Sequence, residues 1–152
     1  KTVCCPTDPV RIPGIGTGAA YGAGDCIGTI EAIQVPKSGI IFSGVLWDYD
    51  DEAIQIDLEL FTVKPAQIAD NDAWSPTDQS MAGFLAELSF FAFDDHINSQ
   101  TSEIRNIGRA YTAPEGILYV QAVTRGASNI AAGQEPSYQI CILSDDPDWN
   151  PQ

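Results

Sequence analysis

Ile54-Gln55-Ile56-Asp57-Leu58-Glu59-Leu60 is the stretch on which the fold class turns. Ile54, Ile56, Leu58 and Leu60 alternate strictly with Gln55, Asp57 and Glu59. Successive side chains of a strand point to opposite faces, so this pattern predicts a half-buried β-strand. On its N-terminal side, Gly39–Trp47 is apolar on both faces except at Ser43, as in a central sandwich strand. On its C-terminal side, Phe84–Phe93 sets Phe84, Ala86, Leu88 and Phe90 against Glu87 and Ser89. Ile117–Thr124 is rich in β-branched and aromatic residues, and Thr29–Val35 and Tyr138–Leu143 complete the predicted strands. One short helix is expected over Pro76–Met81, with Ser75 as cap, Pro76 in the first turn and Asp78 at the capping-box position. Many short strands, Gly/Pro/Asx turns and almost no helix predict an antiparallel β-sandwich or barrel.

The organisation reads as three parts. Residues 1–24 are rich in Pro, Gly, Ala and Thr; Pro6, Pro9 and Pro13 block helix and five glycines between Gly14 and Gly24 loosen the backbone. They are expected to form an extended N-terminal arm outside the core, ordered by lying on a partner. Residues 25–145 form the sandwich, and residues 146–152 a C-terminal tail.

The chain has 152 residues and net charge −14, with 21 acidic residues against seven basic ones. Lys1, Arg11, Lys37, Lys64, Arg105, Arg109 and Arg125 are scattered, so the basic footprint that phosphate binding needs is missing and nucleic acid is not expected as a partner. The apolar runs fall far short of the roughly 20 residues of a spanning helix, and no membrane partner is expected. No basic segment followed by an apolar run marks a signal peptide.

Four cysteines, Cys4, Cys5, Cys26 and Cys141, match no CxxC spacing. A vicinal Cys4–Cys5 bridge would be strained. One arm cysteine can bridge to Cys26, to Cys141 or to another subunit; equally, all four can remain thiols in a reducing cytoplasm.

Catalytic chemistry is not expected. His96 is the lone histidine, no serine stands in a GxSxG elbow, and Asp95 beside His96 points to the opposite face, so His96 reads as a turn residue. Gly14-Ile-Gly16-Thr-Gly18-Ala19 lacks the preceding strand and following helix of a dinucleotide site. Asp48, Asp50 and Asp51, with Glu52, Asp94 and Asp95 near in pattern, offer hard oxygens for calcium without EF-hand spacing; solvated turn acids are the simpler reading. No cofactor is expected. Trp47 is expected in the core and Trp74 at the end of the sandwich, whereas Trp149, on an acidic tail, suits either a docking anchor or a loose end.

Several segments together resemble the jelly-roll decoration (cement, auxiliary) proteins of tailed-bacteriophage heads. Ala20-Tyr-Gly-Ala-Gly-Asp-Cys-Ile-Gly28 is similar to that family's AYxxGDxIG opening. Ile56-Asp-Leu-Glu-Leu-Phe61 followed by Ala69-Asp-Asn-Asp-Ala-Trp-Ser-Pro-Thr-Asp78 resembles its LxLF…ADNAAF…SD passage. Leu118–Ala127 and Ile140–Asp145 resemble its closing strands. The likeness spans Ala20–Asp145 and leaves out the cysteine-bearing arm and the DDPDWNPQ tail.

The resemblance implies a jelly-roll-like sandwich on the outer surface of the virion, assembled in the host cytoplasm. Its implied partners are the major capsid protein and itself, as a homotrimer, stapling neighbouring capsid subunits. The arm, with Cys4, Cys5, Pro6 and Arg11, is then the expected contact segment. The alternative expectation is a carbohydrate-binding or host-attachment sandwich on the phage head, with Trp74 or Trp149 as its platform.

Overall fold

The computed structural model describes every residue from Lys1 to Gln152. Ten strands and one helical turn follow one another: β1 (Thr2–Arg11), β2 (Cys26–Gln34), β3 (Ser38–Asp48), β4 (Ile56–Phe61), α1 (Asp78–Met81), β5 (Phe84–Phe90), β6 (Phe93–Asp95), β7 (Gln100–Ile104), β8 (Arg109–Thr112), β9 (Ile117–Thr124) and β10 (Ser137–Ser144). The larger sheet runs β1-β10-β3-β7-β6, with β8 also on β3, and the smaller runs β2-β9-β4-β5. Every named pairing is antiparallel. First strand beside last, and second beside the penultimate, is the double Greek-key winding of a jelly roll.

The core lies between the two sheets. Leu58, Leu60 and Ile56 of β4 meet Ile41 and Leu46 of β3 and Ile140 and Ile142 of β10 within one cluster of 23 buried residues. Each such aliphatic side chain contributes roughly 1.5–3 kcal/mol by leaving water. Polar bonds also join the two sheets: the Tyr138 hydroxyl donates to Glu31 Oε2 at 2.9 Å, and Arg109 Nε to the Leu85 carbonyl at 3.0 Å.

Residues 1–24 depart from the expected arm. Thr2–Arg11 is not a free arm but the edge strand of the larger sheet, paired along β10 from Thr2↔Leu143 to Arg11↔Ser137. Cys5, Ile12 and Tyr21 are buried in the core. The sandwich therefore begins at Thr2. The prolines that argued against regular structure explain where this strand sits: lacking an N–H, proline is tolerated at a sheet edge. The register shifts between Cys5 and Val10, the interval holding Pro6 and Pro9. Gln139 bridges that gap, its amide donating to the Pro6 and Thr7 carbonyls at 2.9 Å each.

Other elements differ in detail. The α1 cap is Thr77, whose hydroxyl accepts from Ser80 N at 3.1 Å, while Ser75 turns to the Ala73 carbonyl. Thr77 has extended backbone, the conformation a capping residue needs. The predicted Phe84–Phe93 strand is two, β5 and β6 in different sheets, broken at the exposed Phe91. β7 and β8, Gln-Thr-Ser-Glu-Ile and Arg-Ala-Tyr-Thr, carry too few apolar residues for a period-2 signal.

The half-buried reading of β4 is also corrected, since all six of its residues are buried. Its acidic face is covered. The chain between β4 and α1 crosses the outer side of the smaller sheet, where Gln67 accepts from Ile30 N at 2.9 Å and donates to Gln121 Oε1 at 3.4 Å.

Candidate interaction surface and buried polar sites

Register fixes which side chains share the outer face of the larger sheet. Thr2, Leu143, Ile40 and Ala110 are successive partners across β1, β10, β3 and β8. Cys4, Cys141 and Ser43 form the next row, then Gln139, Val45 and Glu103, then Ser137, Trp47 and Thr101. Leu143 is 46% exposed and Ile40 41%. Trp47 is half-buried on this face, not in the core as its strand pattern suggested. Charge is confined to the rim: Glu103 pairs with Arg105 at 2.9 Å, and Arg11 lies over the Tyr49 ring at 4.3 Å. On a chain of net charge −14 this face is charge-poor and partly apolar, the composition of an interface centre. The sequence signal was the two-sided apolarity of Gly39–Trp47, which fits double burial and an apolar exposed face equally well.

The cysteines resolve into one bridge. Cys4, facing Cys141 in register, is bonded to it on this same outer face, and Cys5 and Cys26 are free and buried. Burial pushes both free thiols up to about 11, so neither is a nucleophile near neutrality. Of the expected contact residues, Cys4, Cys5, Pro6 and Arg11 are thus bound into the chain's own sheet. Arg11 further donates to the Glu135 carbonyl at 3.2 Å.

The segments Ala20–Gly28 and Ala69–Asp78 meet in space. Asp70 accepts from the Tyr21 hydroxyl at 2.8 Å, from Gly28 N at 2.6 Å and from Gly16 N at 2.9 Å. Asn71 and Asp72 exchange backbone bonds with Cys26, Trp74 N donates to the Gly24 carbonyl, and Asp25 bridges Ala73. Gly28 has φ +66, and any Cβ there would collide with the Pro13 carbonyl, so only glycine fits. These motifs therefore build a structural knot between the β1–β2 loop and the β4–α1 connection.

No family model, curated protein or solved structure matches this chain.

The outer side of the smaller sheet holds a compact charged group. Buried Asp57 and Glu59 of β4, and Glu87 of β5, lie around the single guanidinium of Arg125. Arg125 Nε donates to Asp57 Oδ2, and its Nη2 sits 3.3 Å from Glu59 and 3.6 Å from Glu87. Gln55 donates to Asp57 Oδ1 at 3.0 Å. Glu59 stands directly opposite Glu87 in the ladder. Burial, then the Glu87 carboxyl, push Glu59 up to about 8, against the pull of Arg125. The three carboxylates converge closely enough to ligate a metal ion, but Arg125 already supplies their countercharge. The sequence placed Asp57 and Glu59 in water; their burial depends on Arg125, 66 residues or more away.

The calcium candidates serve as loop anchors. Asp48 accepts from Asp50 N at 3.1 Å and Ala53 N at 2.8 Å, and Asp50 Oδ2 from Ala131 N at 3.3 Å. Glu52 accepts from Ser128 Oγ at 2.6 Å and Asn129 N at 2.8 Å. Asp51 is exposed, with φ 59. Asp94 and Asp95 lie on β6, at the far edge of the larger sheet.

His96 sits in the turn between β6 and β7, its Nε2 2.9 Å from Thr101 Oγ1. Trp74 is half-buried and packs edge-on against Phe61 at 6.0 Å. Trp149 is neither loose nor projecting: it packs against the chain's own core and lines a surface groove of about 610 Å³. No helix is long and apolar enough to cross a membrane.

Proposed function

We propose that this protein is a structural component of a tailed-phage virion, decorating and stabilising the exterior of the icosahedral capsid by bridging major capsid protein subunits. The observation that carries the reading is the charge-poor outer face of the larger sheet, centred on Ile40, Val45 and Leu143, on an otherwise strongly acidic chain. A surface that must adhere without catalysing needs uncharged area that desolvates cheaply and a framework that does not yield. A disulfide-tied jelly roll supplies the framework. The segment resemblance described above points the same way.

On this reading the larger sheet lies on the shell and the acidic loops face solvent, away from packaged DNA. Contact of about 800 Å² per partner across a capsomer seam is enough for specific, stable attachment. The protein acts as a homotrimer, needs no cofactor, catalyses no reaction, and touches neither nucleic acid nor membrane. The expected contact segment moves, however, from the N-terminal residues to the sheet face beside them. Deleting Lys1–Gly18 would remove a strand, a disulfide and buried Cys5 and Ile12, and so abolish folding instead of attachment alone.

The test is solution mass combined with rebinding to purified capsids stripped of accessory proteins. A trimer that rebinds supports the proposal. A monomer that leaves stripped capsids bare overturns it.

A further inference from the structure

The groove beside Trp149 has features that neither the sandwich nor the proposed shell contact uses. It lies at the end of the sandwich where the β2–β3 and β8–β9 connections meet the C-terminal tail. Its volume, about 610 Å³, is that of a small-ligand site. Buried Val35, with Gly116 and Ile117, contributes to its lining, and Trp149 is its one aromatic residue.

The tail forming one wall is tied down at several points. The Lys1 ammonium donates to the Trp149 carbonyl at 2.8 Å, and Gln152 N to Gln34 Oε1 at 2.9 Å. Ser38 Oγ donates to Asp145 Oδ2 at 2.7 Å, and Asp148 N to Asp146 Oδ1 at 2.9 Å. The wall is thus held by Lys1, residues 145–152 and two loops, which makes the groove a feature of the fold.

Its chemistry selects a class of ligand. Glu115, Asp145, Asp146 and Asp148 line it together with Lys37, and the Lys1 ammonium sits on the Trp149 carbonyl in its wall, which leaves the carboxylates in excess. An indole beside carboxylates attracts an organic cation twice: through the ring face and through charge-assisted hydrogen bonds. The surrounding net charge of −14 raises the local concentration of any cation approaching it. Neutral polyhydroxylated ligands gain nothing from that excess of negative charge.

We infer that this groove is a binding site for a lysine or arginine side chain on an extended segment of a partner protein, seated against Trp149 and held by the carboxylates of Glu115, Asp145, Asp146 and Asp148. Open at the surface and walled by a peptide tail, the groove suits a side chain arriving from outside more than a fully enclosed small molecule. The inference is independent of the capsid reading and is tested on the isolated protein.

The probe is a short, otherwise neutral arginine peptide, titrated against the full chain by amide and indole NMR. Its isosteric citrulline analogue and spermidine are titrated in parallel. Expected are shifts confined to the Trp149 indole and to residues 34–38, 115–117 and 145–152, with the citrulline peptide inert. Glu115→Gln with Asp148→Asn should weaken binding about tenfold, the loss of exposed charge pairs plus steering. Both residues are exposed, so the variant keeps its unfolding midpoint. Equal shifts from the citrulline peptide, shifts elsewhere, or none at millimolar peptide would overturn the inference. Binding of spermidine alone would overturn the assignment to a peptide, and a response only to neutral glycans would overturn the cation class.

Discussion

Cys4 and Cys141 face each other across β1 and β10, and the bond between them joins the first strand of the chain to the last. The residues it links are 137 apart in sequence, so it closes nearly the whole chain into a loop. Constraining so long a loop in the unfolded state stabilises by about 4–5 kcal/mol on the chain-entropy account. Cys4→Ser paired with Cys141→Ser should lower the urea midpoint accordingly, without changing the β-sheet circular dichroism at zero denaturant. An unchanged midpoint would mean that the bridge adds nothing to stability.

Glu59 makes stability depend on pH in an unusual direction for a carboxyl group. Its folded value, about 8, exceeds the 4.5 of an ordinary glutamate, so the folded state holds a proton that the unfolded chain releases. The contribution is therefore complete below about 4.5 and disappears as pH rises through about 8. Burial raises Glu31, Asp48 and Asp50 too, which adds in the same sense. Urea unfolding should show a lower midpoint at pH 9 than at pH 6, and Glu59→Gln should flatten that decline. A steeper decline in the variant would contradict the assignment.

Arg125 is the countercharge for the same group. Arg125→Met leaves buried Asp57 and Glu59 without it, and should cost about 3 kcal/mol or more, measured as unfolding free energy near neutrality. The loss should grow above about pH 8, where Glu59 sheds its proton only with the help of Arg125.

Asp70 gathers three donors, two from the β1–β2 loop and one from β2, so Asp70→Ala should cost about 2–3 kcal/mol, the penalty for stranding partly buried N–H and O–H groups. Tyr21→Phe removes only one of those bonds and should cost about 1 kcal/mol. Equal losses for the two variants would show that Asp70 acts through Tyr21 alone.

The sandwich was legible because Ile54–Leu60, Ile117–Thr124 and Tyr138–Leu143 carry their periodicity locally. β1 was not, because proline and glycine report backbone freedom but say nothing of a partner strand 137 residues away. β7 and β8 were hidden by polar composition, since they draw their place from hydrogen bonding to β3. The covered face of β4 escaped for a related reason: alternation shows that two faces differ, and only tertiary structure decides whether the polar one meets water. The apolar outer face of β3 was visible in the residues and assigned to burial, because composition cannot distinguish a core from an unmet interface.

The proposed attachment through the larger sheet is read most simply as occupancy of stripped capsids by Ile40→Glu/Leu143→Glu protein. Both side chains are exposed, so the fold should persist while two carboxylates enter the contact. Occupancy at fixed protein concentration should fall at least about tenfold, with unfolding unchanged; each buried unpaired charge costs well over 1.4 kcal/mol. Occupancy equal to that of the unaltered protein would show that this face does not touch the shell.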